Sequence, residues 1–172
     1  MVAGIRLAEV NDLGYSLQKN LEHLHLRRLD RIWIENPIFF ITACTHERKN
    51  ILANPKSAAI LVEEWMSAKE HHDWYIGRYV IMPDHVHFFC APGNEAHDLS
   101  VFMKFWKEWT SKKIKKEFRI EGHVWQREFF DHLLRSEESY AQKWDYVLNN
   151  PVRADLVKES DDWLWQGEIE IL

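Results

Sequence analysis

His85 and His87 stand two positions apart inside the apolar run IMPDHVHFF, residues 81–89. On a β-strand, residues i and i+2 project from the same face, so both imidazoles would point one way and Val86 the other. Two rings at that spacing can share one metal ion. The pattern alone is a weak signal, because a buried histidine is more often structural. A second feature adds to it. In SEESYAQKWDYVLNN, residues 136–150, Tyr146 and Asn150 are i and i+4 and share one face of the predicted helix. A deprotonated phenol is an oxygen nucleophile, and an amide oxygen is a possible third metal ligand. The competing reading has Tyr146 simply packing against the sheet.

Elements that would carry these side chains can be read along the chain. Residues 1–36 read as an N-terminal extension, and 37–166 as the core of a single domain spanning 1–172. IFFITACTHE, 38–47, is rich in β-branched and aromatic residues and predicts a strand. Residues 54–72 predict a helix opening after Asn-Pro, with Ala59, Val62, Trp65 and Met66 at helical spacing. Residues 74–92 predict two strands interrupted at Met82-Pro83-Asp84, where proline removes a ladder donor. A helix follows from an Asp98 N-cap to about Phe118, with Phe102, Trp106, Thr110, Ile114 and Phe118 as its inward stripe. A further strand falls within 123–136. The helix 136–150 starts on Ser136 and stops at or near Asn150, ahead of Pro151. The order β-α-β-β-α-β then α predicts an α+β, ferredoxin-like split βαβ fold. It gives an antiparallel sheet with helices on one face, plus an added C-terminal helix bearing the tyrosine.

Composition narrows the partners. The chain has 172 residues, a net charge of −5 and nine tryptophans. No apolar stretch approaches the roughly 20 residues of a membrane span. The first twenty residues lack the apolar segment of a secretory signal, which predicts a cytoplasmic protein. Cys44 and Cys90 read as buried thiols rather than a disulfide. The acidic total conceals a separation: KFWKEWTSKKIKKEFR, 104–119, holds seven basic residues against two acidic ones. Lys104, Lys107, Lys112, Lys113, Lys115 and Lys116 therefore make a candidate phosphate-binding face on an acidic body.

Taken together, YVIMPDHVHFF, WQREFFDHLLRSEESYAQKWDYVLNNPVRADLV and DDWLW closely resemble the REP-associated tyrosine transposases, single-tyrosine members of the HUH endonuclease superfamily. Those chains carry MPNHVH, WQ-x-x-FFDH-x-L-R, DYI-x-x-NPV and DWPW in the same order. The resemblance spans roughly residues 27 to 166. It implies that His85 and His87 are the metal pair, Tyr146 the nucleophile and Asn150 the residue completing the metal site. Tyr140 is the rival nucleophile, but its i+4 neighbour is Trp144, which cannot ligate a metal. Arg135 and His132 become candidates for phosphate contact, and Arg135 joins the lysines as a DNA-binding residue. Asp84 departs from the asparagine of many relatives.

The implied activity is a metal-dependent single-stranded DNA endonuclease and strand transferase. It would form a covalent 5′-phosphotyrosine on hairpin-containing DNA, with exchangeable Mg²⁺ or Mn²⁺ and as a monomer or homodimer. Two alternatives are a domesticated, catalytically weak hairpin-binding protein and a zinc hydrolase pairing the histidines with Asp84 or Asp131.

Overall fold

The computed structural model describes residues 37–134 and 136–172. The expected extension 1–36 and Arg135 lie outside the described residues. Five strands form one sheet: β1 (Ile38–Cys44), β2 (Trp74–Ile81), β3 (His85–Pro92), β4 (Phe130–Leu134) and β5 (Gln166–Glu168). Their order is β4-β1-β3-β2-β5, with every neighbouring pair antiparallel. The first four strands follow the split βαβ plan read from the sequence. The edge strand β5 is an addition that the alternation of the sequence did not disclose.

The helices divide between the two faces of the sheet. α1 (Pro55–Met66), the short α2 (Ala68–His72) and α3 (Leu99–Phe118) cover one face. There Phe39, Ile41, Val86, Phe88 and Cys90 from the central strands meet Leu61, Trp65, Phe102 and Trp106 in the main core. Phe88 lies between Trp65 and Trp106, with centroids at 5.2 and 5.5 Å. The alternate strand positions point the opposite way. Phe40, Val80 and Phe89 join Leu134, Met82 and Val147 in a second, smaller cluster, against which Tyr140 and Trp144 of α4 (Glu137–Leu148) pack. Gly77 lets this layer close down on β2, since a Cβ there would sit 2.7 Å from Leu172 Cδ1 and 3.3 Å from Tyr140 Oη.

Three local expectations are corrected. The inward stripe of α1 is shifted: Ala58, Leu61 and Trp65 are buried, whereas Ala59 and Met66 face solvent. The stripe of α3 ends at Ile114, and Phe118 in the last turn is exposed. The helix expected over 136–150 stops at Leu148, and a separate turn, α5 (Asn150–Arg153), follows with Pro151 near its start. Proline has no N–H to give a continuing helix, but its fixed φ suits a new first turn. Tyr146 and Asn150 thus lie on either side of a break at Asn149, and Arg153 touches both. Ser136 does cap α4, its hydroxyl accepting from Ser139 N at 3.1 Å.

Among the described residues, no helix is long and apolar enough to cross a membrane. Cys44 and Cys90 are buried and unbridged.

Candidate metal and tyrosine site

β3 leaves the turn at Met82–Asp84 and presents His85, His87 and Phe89 to the face that carries α4, with Val86 and Phe88 turned into the main core. The register with β1 sets what stands beside each ring: Cys44 opposite His85 and Thr42 opposite His87. The two rings meet edge to face with centroids 4.8 Å apart, and both residues are buried. Phe40 stacks on His87 at 5.3 Å.

Each imidazole has its Nδ1 engaged. His85 Nδ1 lies 2.6 Å from Asp84 Oδ1, and His87 Nδ1 lies 2.8 Å from Thr42 Oγ1. His87 Nε2 is buried with no hydrogen-bond partner among the described residues. A buried ring nitrogen without a partner is costly unless something binds it. Burial, reinforced by the neighbouring His85 ring and the positive charges of Lys143, Arg153 and Arg48, pushes His87 well below its ordinary value. The ring is therefore neutral near pH 7, the form that can donate a lone pair to a metal. Burial alone would raise the Asp84 carboxyl, but the hydrogen bond from His85 and the charge of Arg48 hold it below its usual value.

The tyrosine side of the cluster sits on the same face. Tyr146 is 42% exposed. The Arg153 guanidinium lies over its ring, 4.0 Å from the centroid, and Arg153 Nη1 donates to the Tyr146 carbonyl at 2.8 Å. Arg153 Nη2 also donates to Asn150 Oδ1. Asn150 is buried, and its Nδ2 has no partner among the described residues. Lys143 bridges the two halves, with its ammonium 5.0 Å from the Phe40 ring and 5.8 Å from the Tyr146 ring. Tyr140 is placed differently. It is half-buried with its ring 4.3 Å from Phe89, and burial raises its phenol above the ordinary value.

These donors fit a divalent ion in part. The His87 nitrogen is unsatisfied and neutral, and His85 has its Nδ1 tied back. The Asn150 oxygen is shared with Arg153, and a carbonyl oxygen has a second lone pair to offer. Among the described residues no three His, Cys, Asp or Glu side chains are grouped so as to hold a metal ion, which leaves an amide, water or the substrate to complete any coordination shell. Asp131 pairs with Ile41, whose side chain enters the main core, which puts it on the opposite face from His87. Asp84 stands behind His85 on Nδ1. Neither carboxylate is arranged as the third ligand of a hydrolytic zinc site.

The basic segment lies elsewhere. α3 covers the face opposite the histidines, and several of its lysines are already engaged. Lys107 Nζ donates to the carbonyls of Gln126 and Arg127 at 2.8 and 2.6 Å, Lys112 pairs with Glu108, and Lys113 pairs with Glu63 and Glu64 on α1. Lys104, Lys107 and Lys115 line a groove of about 720 Å³ between α3 and residues 123–129. Lys116 is exposed. Of the middle motif, Trp125 is core, packed on Trp106 and donating to Thr110 Oγ1, while His132 lies exposed on β4. The DDWLW segment clamps β2: Trp163 Nε1 donates to Ile81 O, and Ile81 N to Trp165 O.

Thr42, Arg48, Lys143 and Arg153 were not singled out by the sequence reading. Arg153 could have been, since it follows Asn150 by three residues. Thr42 and Arg48 could not, because only strand register and a turn bring them to the histidines.

The chain is similar to several known proteins. A REP-associated tyrosine transposase of Escherichia coli K12 is 26% identical over 136 residues, covering 77% of each chain. A Haemophilus influenzae protein provisionally given the same name is 27% identical over 103 residues; the match covers 55% of this chain and 58% of that relative's length. The solved structure of a REP-associated tyrosine transposase bound to a REP hairpin superposes with a TM-score of 0.63 over 82% of both chains at 22% identity, a likeness of fold. The family described as IS200-like transposases matches residues 36–150, from the start of β1 to the buried asparagine of the site. On that match, the chain belongs to the IS200-like transposase family.

Proposed function

We propose that this chain is a divalent-metal-dependent, single-stranded DNA nickase and strand transferase that acts through Tyr146. The observation that carries the reading is the shared face: the unsatisfied His87 nitrogen and the exposed Tyr146 both belong to the α4 side of the sheet, joined through Phe40, Lys143 and Arg153. His85 and His87, with Asn150, would hold Mg²⁺ or Mn²⁺. When bound, such an ion polarises a phosphodiester and stabilises charge on its non-bridging oxygens.

The chain's own groups do the rest. The Tyr146 phenol loses its proton to solvent and its oxygen attacks phosphorus in line. The bond to the 3′ oxygen breaks, and that oxygen takes up a proton to leave a free 3′-hydroxyl. The 5′ phosphate stays on the tyrosine as a phosphodiester, and a later 3′-hydroxyl can displace the phenol and rejoin the strand without another energy source. Arg153 and Lys143, both beside the Tyr146 ring, supply positive charge next to the transferred phosphate. The hairpin bound by the structural relative supports a hairpin-containing substrate.

The test is a covalent adduct. Single-stranded hairpin DNA incubated with Mn²⁺ should yield a protein–DNA species that survives denaturing electrophoresis, is absent from Tyr146→Phe and persists in Tyr140→Phe. An adduct kept by Tyr146→Phe and lost by Tyr140→Phe would move the nucleophile to the half-buried phenol. Hairpin binding without any adduct would favour the domesticated, catalytically weak alternative.

A further inference from the structure

Two side chains that this chemistry does not use meet behind His85. Asp84 Oδ1 lies 2.6 Å from His85 Nδ1, and Asp84 Oδ2 takes the Arg48 Nε–H at 2.9 Å. Arg48 Nη1 in turn donates to Cys44 Sγ at 2.7 Å, and Cys44 stands opposite His85 in the β1–β3 register. We propose that Arg48 and Asp84 form a positioning clamp that fixes His85 as its Nδ1–H tautomer and aims Nε2 at the divalent ion. The inference rests on the metal-dependent reading above.

The chemistry is one-directional. An ionised carboxylate can only accept, so the hydrogen on this bond belongs to Nδ1 and the lone pair to Nε2. With its second oxygen held by Arg48, the carboxylate cannot rotate away from the ring. A hydrogen-bonded carboxylate of this kind orients a ligand imidazole and increases its basicity. His87 lacks such a lock. Its Nδ1 faces the Thr42 hydroxyl, which can donate or accept, so its tautomer is open to either arrangement.

The turn that delivers Arg48 is built for this placement. Glu47 and Arg48 both have φ of 55°, a left-handed conformation that non-glycine residues rarely adopt twice in succession. The turn is fastened to the residue it serves. Thr45 N and Thr45 Oγ1 both donate to the Asp84 carbonyl, at 2.9 and 3.0 Å, while Thr45 Oγ1 also reaches Lys49 O. Leu52 N holds the neighbouring Pro83 carbonyl. The Arg48 side chain is 43% exposed, and an ion pair that open to solvent adds little to stability. Strain spent on it is better explained by where the carboxylate points.

Two measurements on the full chain test the clamp. Imidazole ¹⁵N spectra of the metal-free protein, at a pH where the rings are neutral, read the tautomer directly. Mn²⁺ titration followed by electron paramagnetic resonance reads affinity without requiring turnover. Wild type should show His85 protonated on Nδ1. Asp84→Ala should give mixed tautomers at His85 and weaken Mn²⁺ binding by about 10- to 100-fold. Asp84→Asn, which still accepts through its amide oxygen, should keep the Nδ1–H form and lose less affinity; it also stands in should the alanine variant misfold. Arg48→Ala should mix the His85 tautomers by freeing the carboxylate.

His85 protonated on Nε2 in wild type, or Mn²⁺ affinity unchanged in Asp84→Ala, would overturn the proposal. An unchanged tautomer in Arg48→Ala would remove Arg48 from it. If wild type and His85→Ala alike fail to bind Mn²⁺, the metal reading falls, and the metal-free spectra still decide the clamp.

Discussion

Phe88 and Phe89 are adjacent on β3, both fully buried, and turned to opposite faces of the sheet. This makes a controlled comparison between stability and tyrosine placement. The Phe89 ring meets Tyr140, Phe40 and Trp144 at 4.3, 5.3 and 6.3 Å, two of them on α4. Phe88 meets Trp65 and Trp106 on the other side. Aromatic pairs contribute about 0.5–1.5 kcal/mol each beyond burial. Replacement by leucine should therefore cost about 2 kcal/mol at either site. In a chain of this length that lowers Tm by about 4–8 °C and leaves the protein folded at room temperature.

Adduct formation should separate the two variants. Phe89→Leu loosens the docking of α4 and with it the position of the phenol. Misplacement by an ångström can cost about 100-fold in rate, so the single-turnover adduct rate should fall about 10- to 100-fold. Phe88→Leu should stay near wild type in the same assay. Thermal melts and adduct kinetics at 25 °C provide both readings. Equal slowing in the two variants, or none in Phe89→Leu, would refute the claim that this second cluster positions the nucleophile.

Other outcomes follow from the charges. His87 is depressed in the folded state, so the unfolded chain takes up its proton first. Its contribution to stability is complete above the ordinary value of 6.5 and is lost as pH falls below it. Melts of the metal-free protein should show Tm dropping between about pH 7 and about pH 5, and His87→Gln should flatten that drop. Lys113 is committed to Glu63 and Glu64, so Lys113→Ala should cost at most about 1 kcal/mol and leave the salt dependence of hairpin binding unchanged. Replacing Lys104, Lys115 and Lys116 together should reduce the log–log salt slope by up to about 2–3 if the α3 surface contacts phosphates; an unchanged slope would exclude that surface.

The sequence disclosed what repeats at short range. Alternation in HVHFF gave the strand and the common face of the histidines, and Pro83 marked the hairpin turn. Asn-Pro and Ser136 marked the starts of α1 and α4, both confirmed by their side-chain caps. What stayed hidden depends on partners distant in the chain. The identity of the atom opposite each Nδ1 is a matter of β-register, and no local pattern contains it. The run of lysines predicted a charged surface correctly but not its side, since helical spacing says which stripe is buried without saying which sheet face receives it. Pro151 announced a helix end, yet the new turn beyond it owes its existence to proline's fitness for a first helical position.

The two layers on the sheet are unequal in size. Removing the larger would dissolve the fold, whereas the smaller rests on a handful of apolar side chains from β1, β2, β3, β4 and α4. Such a segment can open at a free energy below that of global unfolding. The residue proposed to carry the covalent bond thus rides on the part of the protein best able to part from the rest while the two imidazoles stay fixed, and amide exchange in α4 should outpace exchange in β1 and β3.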